Sequence, residues 1–165
     1  MIYNSNNIIA MENQINNPEI INDLIKINND RIEGYKTASD LANNMGVDSL
    51  GGIFGKYMQQ SKQFIEELTP YVKLEGEEPT ESTMMSGKLF RLWMNVKVNI
   101  SGNDKKSLLE SCEKGEDAFK ETYKNTLEED ADQLSIEVKN MVLNQLGKQL
   151  AAHNDIKMLR DNVSL

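Results

Sequence analysis

Several chemically committed residue types are scarce in this 165-residue chain: it has one cysteine, one histidine, one tryptophan and three prolines. A single thiol, Cys112, cannot close an internal disulfide, which excludes a disulfide-stapled secreted scaffold. No apolar run approaches the roughly 18 residues that a membrane span needs, so no membrane partner is expected. Positive charge is also short, with 18 Lys+Arg against 26 Asp+Glu and a net charge of −8. Phosphate backbones are bound by clustered Lys and Arg, and no such cluster occurs, so a nucleic-acid groove is excluded as well. Residues 1–18 are Asn-rich and have neither the basic start nor the apolar stretch of a secretory signal. They read as a flexible leader of a cytoplasmic protein, with Met1 or Met11 as its start. Residues 19–163 are then one domain of ordinary globular composition.

What the chain does contain is helical periodicity. Proline falls only at Pro18, Pro70 and Pro79, leaving two long proline-free spans. Because proline breaks helix interiors, breaks are expected near Pro18 and in the Pro70–Pro79 segment. Apolar residues at three- and four-residue spacing predict helices over Glu19–Asn43 (Ile21, Leu24, Ile25, Ile32, Tyr35, Ala42) and Asp48–Val72 (Leu50, Phe54, Tyr57, Met58, Phe64, Ile65, Leu68). The same spacing predicts helices from Asn103 or Asp104 to Glu129 and over Ser135–Asn162. Lys73–Ser82, rich in Glu and turn formers, is the main connector. Thr83–Ser101 fits a short helix through Met85, Leu89, Leu92, Val96 and Ile100, although Val96, Val98 and Ile100 also alternate as in a strand. With no strand partner elsewhere, the helix is preferred. The expected fold is all-α: four long amphipathic helices in two hairpins, joined by a long crossover carrying a short fifth helix.

An internal repeat agrees with paired hairpins. Asn22–Lys36 aligns with Lys106–Lys120 at a shift of 84 residues, matching Leu24 to Leu108, Ile25 to Leu109, Tyr35 to Phe119 and Lys36 to Lys120. The segments NDLIKINNDRIEGY, QQSKQFIEEL, LWMNVKVNISGND, ESCEKGEDAFKETY and QLGKQLAAHNDIKMLRD together resemble an uncharacterised bacterial ferritin-like family, distantly similar to rubrerythrins. The resemblance spans roughly residues 20–162. It implies a ferritin-like up-down four-helix bundle in the cytoplasm, in a stress-related setting, with no established reaction.

A di-iron bundle takes a Glu from each of two helices and a Glu-x-x-His from each of the other two. Placing residues at ~100° per step around each helix tests for this set. Six polar residues fall within the apolar faces: Asn28, Ser61, Glu116, Gln145, Gln149 and His153. Glu33 falls beside Asp30, Thr37 and Asp40 on the wet side of the first helix, and Ile32 takes the repeat position of Glu116. With one histidine in the chain, two Glu-x-x-His motifs are impossible, so no cofactor is expected from a standard di-iron site. The leading reading is a buried polar layer in which Glu116, paired with His153 or Gln149, fixes helix register. A reduced site for iron or another divalent metal, built on Glu116, His153 and Gln149 with Gln145 near, is the alternative. A different helix phase would instead turn Glu33, Glu113 and Asp117 inward.

The remaining candidates have plainer roles. Cys112 lies inside a helix stripe, where a thiol behaves as a small hydrophobe. Met84, Met85 and Met94 near Trp93 read as packing under the crossover. Glu128, Glu129, Asp130 and Asp132 read as a solvated helix end. The functional expectation is a non-catalytic structural, interaction or stress-associated module that self-associates as a dimer. A metal-binding protein or metal-dependent oxidoreductase is the alternative, and a small apolar ligand between the helices is a third possibility.

Overall fold

Three polar side chains start three of the long helices. Asn17 accepts from the Glu19 amide at 3.0 Å, Asp104 from Ser107 at 3.1 Å and Ser135 from Val138 at 3.2 Å, each satisfying a first-turn N–H that has no partner within its helix. The computed structural model describes residues 16–82 and 104–163. Among them the long elements are α1 (Pro18–Asn44), α2 (Asp48–Leu74), α3 (Lys105–Glu129) and α4 (Ile136–Asp161), and a 3-10 turn (Ala131–Gln133) links the last two. The described residues are helical or irregular, without strands. No described helix is long and apolar enough to cross a membrane.

The helix ends follow from local chemistry. Pro18 occupies the first turn of α1, where its missing N–H costs nothing. Gly46 (φ +74°) and Gly76 (φ +79°) take the left-handed conformation just past α1 and α2, where a side chain would be strained. Pro70 does not break α2, which ends at Leu74, inside the Pro70–Pro79 segment where a break is expected. It lies on the exposed side, and the helix runs four residues further. Water can serve the Glu66 carbonyl that the proline leaves unpaired.

Side-chain pairs fix the helix directions. Asn28 meets Tyr123 while Arg31 meets Glu116, so α1 and α3 are antiparallel. Tyr123 meets Gln145 and Glu116 meets Gln149, so α3 and α4 are antiparallel. Glu67 meets Gln145 and Tyr57 meets Asp155, which sets α2 against α4 in the same sense. The α1–α2 and α3–α4 hairpins therefore pack in an up-down-down-up order, with α2 and α3 parallel. The connection leaving α2 begins its return along α1: Asn22 accepts from the Thr80 amide at 3.0 Å, and Asn29 donates to the Ser82 carbonyl at 2.9 Å. The short helix expected at Thr83–Ser101, with Met84, Met85, Trp93 and Met94, lies outside the described residues.

Asn16 and Asn17, read above as leader, are tied to the α3–α4 turn. Ser135 donates its amide to Asn16 Oδ1 at 2.7 Å, and Asn17 donates to the Gln133 carbonyl at 2.9 Å. The bundle's first residues thus lie at the end where α4 starts, and α4 finishes at the opposite end. The core is a single cluster drawn from all four helices, including Ile21, Leu24, Phe54, Phe64, Phe119 and Val142.

Candidate functional site

Halfway along the bundle the apolar core is interrupted by an ion pair. Arg31 of α1 and Glu116 of α3 are the two charged ends, 1% and 0% exposed. Arg31 Nε donates to Glu116 Oε1 at 2.7 Å, and the Tyr35 hydroxyl donates to the same oxygen at 2.6 Å. Gln149 of α4 donates Nε2 to Glu116 Oε2 at 2.6 Å and to the Glu116 carbonyl at 2.9 Å. Arg31 Nη1 reaches α2, donating to Gln60 Oε1 at 2.9 Å and Ser61 Oγ at 3.1 Å. All four helices thereby contribute to one network around one carboxylate and one guanidinium, within which Arg31 Nη2 and Gln149 Oε1 are buried without a hydrogen-bond partner.

The guanidinium is also boxed by aromatic rings. Arg31 Cζ lies 5.6 Å from the Tyr35 ring centroid, 5.7 Å from Tyr57 and 5.2 Å from Phe119, within range for ring faces to stabilise a cation. Burial is the largest influence and works against the charged guanidinium, but the charge and hydrogen bond of Glu116, together with Tyr35 and Tyr123, outweigh it and hold Arg31 above its ordinary range. Burial, and then Glu116, pushes the Tyr35 phenol well up, so it donates rather than ionises. The Cys112 thiol is likewise pushed well up by burial and by Glu116, the setting of an inert thiol.

One turn away lies a second polar layer. Asn28 donates to the Tyr123 hydroxyl at 2.8 Å, and Tyr123 donates to Gln145 Oε1 at 2.7 Å. Gln145 Nε2 then donates to the Phe64 carbonyl at 3.3 Å and Glu67 Oε1 at 3.2 Å. Closer to the far end of the bundle, His153 Nε2 lies 2.7 Å from Asp117 Oδ1, and Arg160 donates to Glu113 Oε2.

Of the six residues read as a buried polar layer, Asn28, Ser61, Glu116, Gln145 and Gln149 are 0% exposed. His153 keeps an 11% exposed side chain at the rim. The structure joins Glu116 to Gln149, as one reading had it, but does not join Glu116 to His153. One turn of α4 separates Gln149 from His153, and the shift delivers the imidazole to Asp117. Glu33 is exposed, while Asp30, read with it as wet, is 0% exposed. Glu113 and Asp117 do meet His153: their ligand atoms and that of the histidine lie within 4.8 Å of one another. Both carboxylates already have cationic partners, Arg160 on Glu113 and Lys120, at 3.5 Å, on Asp117.

Sequence reasoning missed Arg31. The signal was present, because at ~100° per residue Arg31 falls between Tyr35 and Ala38, inside the apolar arc. A charged residue there needs a buried opposite charge, and Glu116 was the one carboxylate placed inside a stripe.

A family described as "Domain of unknown function (DUF2383)" matches residues 17–129, more than half of the chain. The chain belongs to that family. No curated protein and no solved structure matches it. The DUF2383 match takes in α1, α2, the connector and α3, so Arg31, Tyr35, Gln60, Ser61 and Glu116 lie within it, and α4 with Gln149 and His153 lies beyond it. A di-iron centre, which the ferritin-like resemblance raises for this DUF2383 protein, does not fit these residues. Mid-bundle, Glu116 is committed to three donors, and the guanidinium in contact with it would repel a cation.

Proposed function

We propose that this DUF2383 protein is a non-catalytic, ferritin-like structural or interaction module of the cytoplasm, suited to a stress-associated role, in which an internal ion pair stands in place of a metal centre. The up-down-down-up order of α1 to α4 supports the ferritin-like reading. The observation that carries the rest is the Arg31–Glu116 contact at 2.7 Å, to which every long helix contributes a group. An arginine fills the space and supplies the positive charge that cations supply in a metal-loaded bundle, and unlike a metal it offers no open coordination position to a substrate. The decisive measurement is metal content and absorbance of protein purified without chelators and then exposed to ferrous iron without oxygen. Neither stoichiometric iron nor an oxygen-dependent absorption band is expected; two irons per chain with such a band would overturn the reading.

One observation favours a second reading, a single divalent metal at the rim. One imidazole and two carboxylates from α3 and α4 converge at Glu113, Asp117 and His153, a mixed N/O donor set of the kind that divalent transition metals accept. Arg160 and Lys120 would have to be displaced. Zinc titration of the wild type and His153→Ala separates the two readings: equal binding by both proteins removes the second.

A further inference from the structure

The outer faces of α1, α2 and α3 are set with charge, as at Glu33, Lys36 and Asp40, Lys62 and Glu66, and Lys114 and Glu121. The outer face of α4 differs. At ~100° per residue, Ile136, Leu143, Gly147, Ala151 and Met158, with Asn140 and Asn154 between them, fall on one line along nearly the whole helix. All seven are exposed and uncharged. Ile136, Leu143 and Met158 remain 52%, 54% and 62% exposed, three of the four large apolar side chains left open among the described residues. At the middle of the line, a Cβ built on Gly147 would meet nothing within 4 Å, so another helix can approach the backbone closely there.

The flanks of this line specify the occupant. On one side stand Lys139 and Lys157; on the other stand Glu137 and Asp155, near the two ends of the helix, with Lys148 between them. Tyr57 donates to Asp155 at 3.3 Å, which holds that carboxylate at the edge of the line. Neither Lys139 nor Lys157 forms an ion pair among the described residues. In a two-fold pair with both α4 helices pointing the same way, each basic flank faces the partner's acidic flank. Lys139 then stands opposite the second copy's Glu137, and Lys157 opposite its Asp155, each offset along the axis by about 3 Å, within lysine reach. An antiparallel pair would set lysine against lysine and carboxylate against carboxylate. The pattern is that of a coiled-coil seam, with apolar residues inside and flanking charges choosing partner and orientation.

We infer that the exposed stripe of α4 is a homodimer interface in which a second copy of this chain packs its own α4 alongside, parallel and in register across Gly147. This goes beyond the reading of the core and does not rest on it.

Sedimentation equilibrium of the full chain tests it. The expected mass is twice 18.7 kDa. Leu143→Glu, which buries a charge in the seam, is expected to weaken the dimer at least roughly 100-fold while circular dichroism shows unchanged helix content. Replacing Lys139 and Lys157 by Glu is expected to weaken the dimer, and adding Glu137→Lys with Asp155→Lys to restore it. Only the parallel arrangement gives that pair of results, since an antiparallel pair is repulsive on its flanks before and after either change. Asn140→Cys is expected to cross-link to itself under mild oxidation, with the buried Cys112 silent. A monomer at every concentration overturns the inference, including the case in which deleting residues 1–15 releases dimerisation, because the leader would then be the occupant. A dimer indifferent to Leu143→Glu overturns it too.

Discussion

At the scale of single residues, the bundle is organised around a charge that cannot leave. Arg31 and Glu116 are both buried, and two charges taken out of water are sustained only while each has the other. The asymmetry between removing one and removing both follows. Arg31→Met or Glu116→Leu alone strands a charge in a dry interior and is expected to cost about 3–5 kcal/mol. The double substitution Arg31→Met with Glu116→Leu is expected to cost clearly less than the sum, because no charge is left behind. Urea unfolding of the four proteins measures this cycle; single substitutions costing below about 1 kcal/mol would show that the pair is not closed in solution. Glu116 was legible as a carboxylate inside an apolar stripe that needed a partner. The partner itself was not identified from the pattern, because an arginine on a helix is so often solvated that its angle is easily passed over. His153 was nearer on the wheel, and only the pitch of α3 against α4 shows that it reaches Asp117 instead.

At the scale of elements, the sequence specified most of what formed. The four long helices begin and end within two residues of the spans their apolar spacing predicts, because the cap residues Asn17, Asp104 and Ser135 are written into the chain. Pro70 lies inside one of these spans. A proline stops a helix when its ring and missing N–H meet a packed backbone, but here both face water and the apolar register of α2 carries through to Val72. Pro70→Ala restores a donor to the Glu66 carbonyl. It is expected to raise stability by about 1–2 kcal/mol, the roughly 3 kcal/mol helix-interior penalty less the stiffness that proline gives the unfolded chain. A rise in melting temperature checks this, and a fall would show that the proline is needed where it stands. The outward stripe of α4 was the other element-scale feature left unread. The apolar residues of α4 divide between an inward face and an outward one, and Leu150 is only partly buried.

At the scale of the whole molecule, two hairpins meet across a seam lined with buried phenols as well as charges. Burial is the main cause raising the phenols of Tyr35 and Tyr123, and the Cys112 thiol is raised in the same way. A raised value means that the folded state holds the proton to higher pH than the unfolded chain does. The stability this represents is complete below the unfolded values, near 8.5 for a thiol and 10 for a phenol, and is lost as pH climbs past them. Unfolding free energy is therefore expected to be flat from neutral pH to about 8.5 and to fall above it, with tyrosinate absorbance from the buried rings rising only as helix content drops. Full ionisation of all five tyrosines in a still-helical protein would contradict this. The direction of the helices has a last consequence. Asn16 enters beside the start of α4, and Val163 leaves at the other pole, a helix of 26 residues or about 40 Å away. Many domains bring their two ends together; this one holds them apart like the ends of a rod. A segment running directly from Val163 back to Asn16 would need at least about 12 extended residues to span that distance.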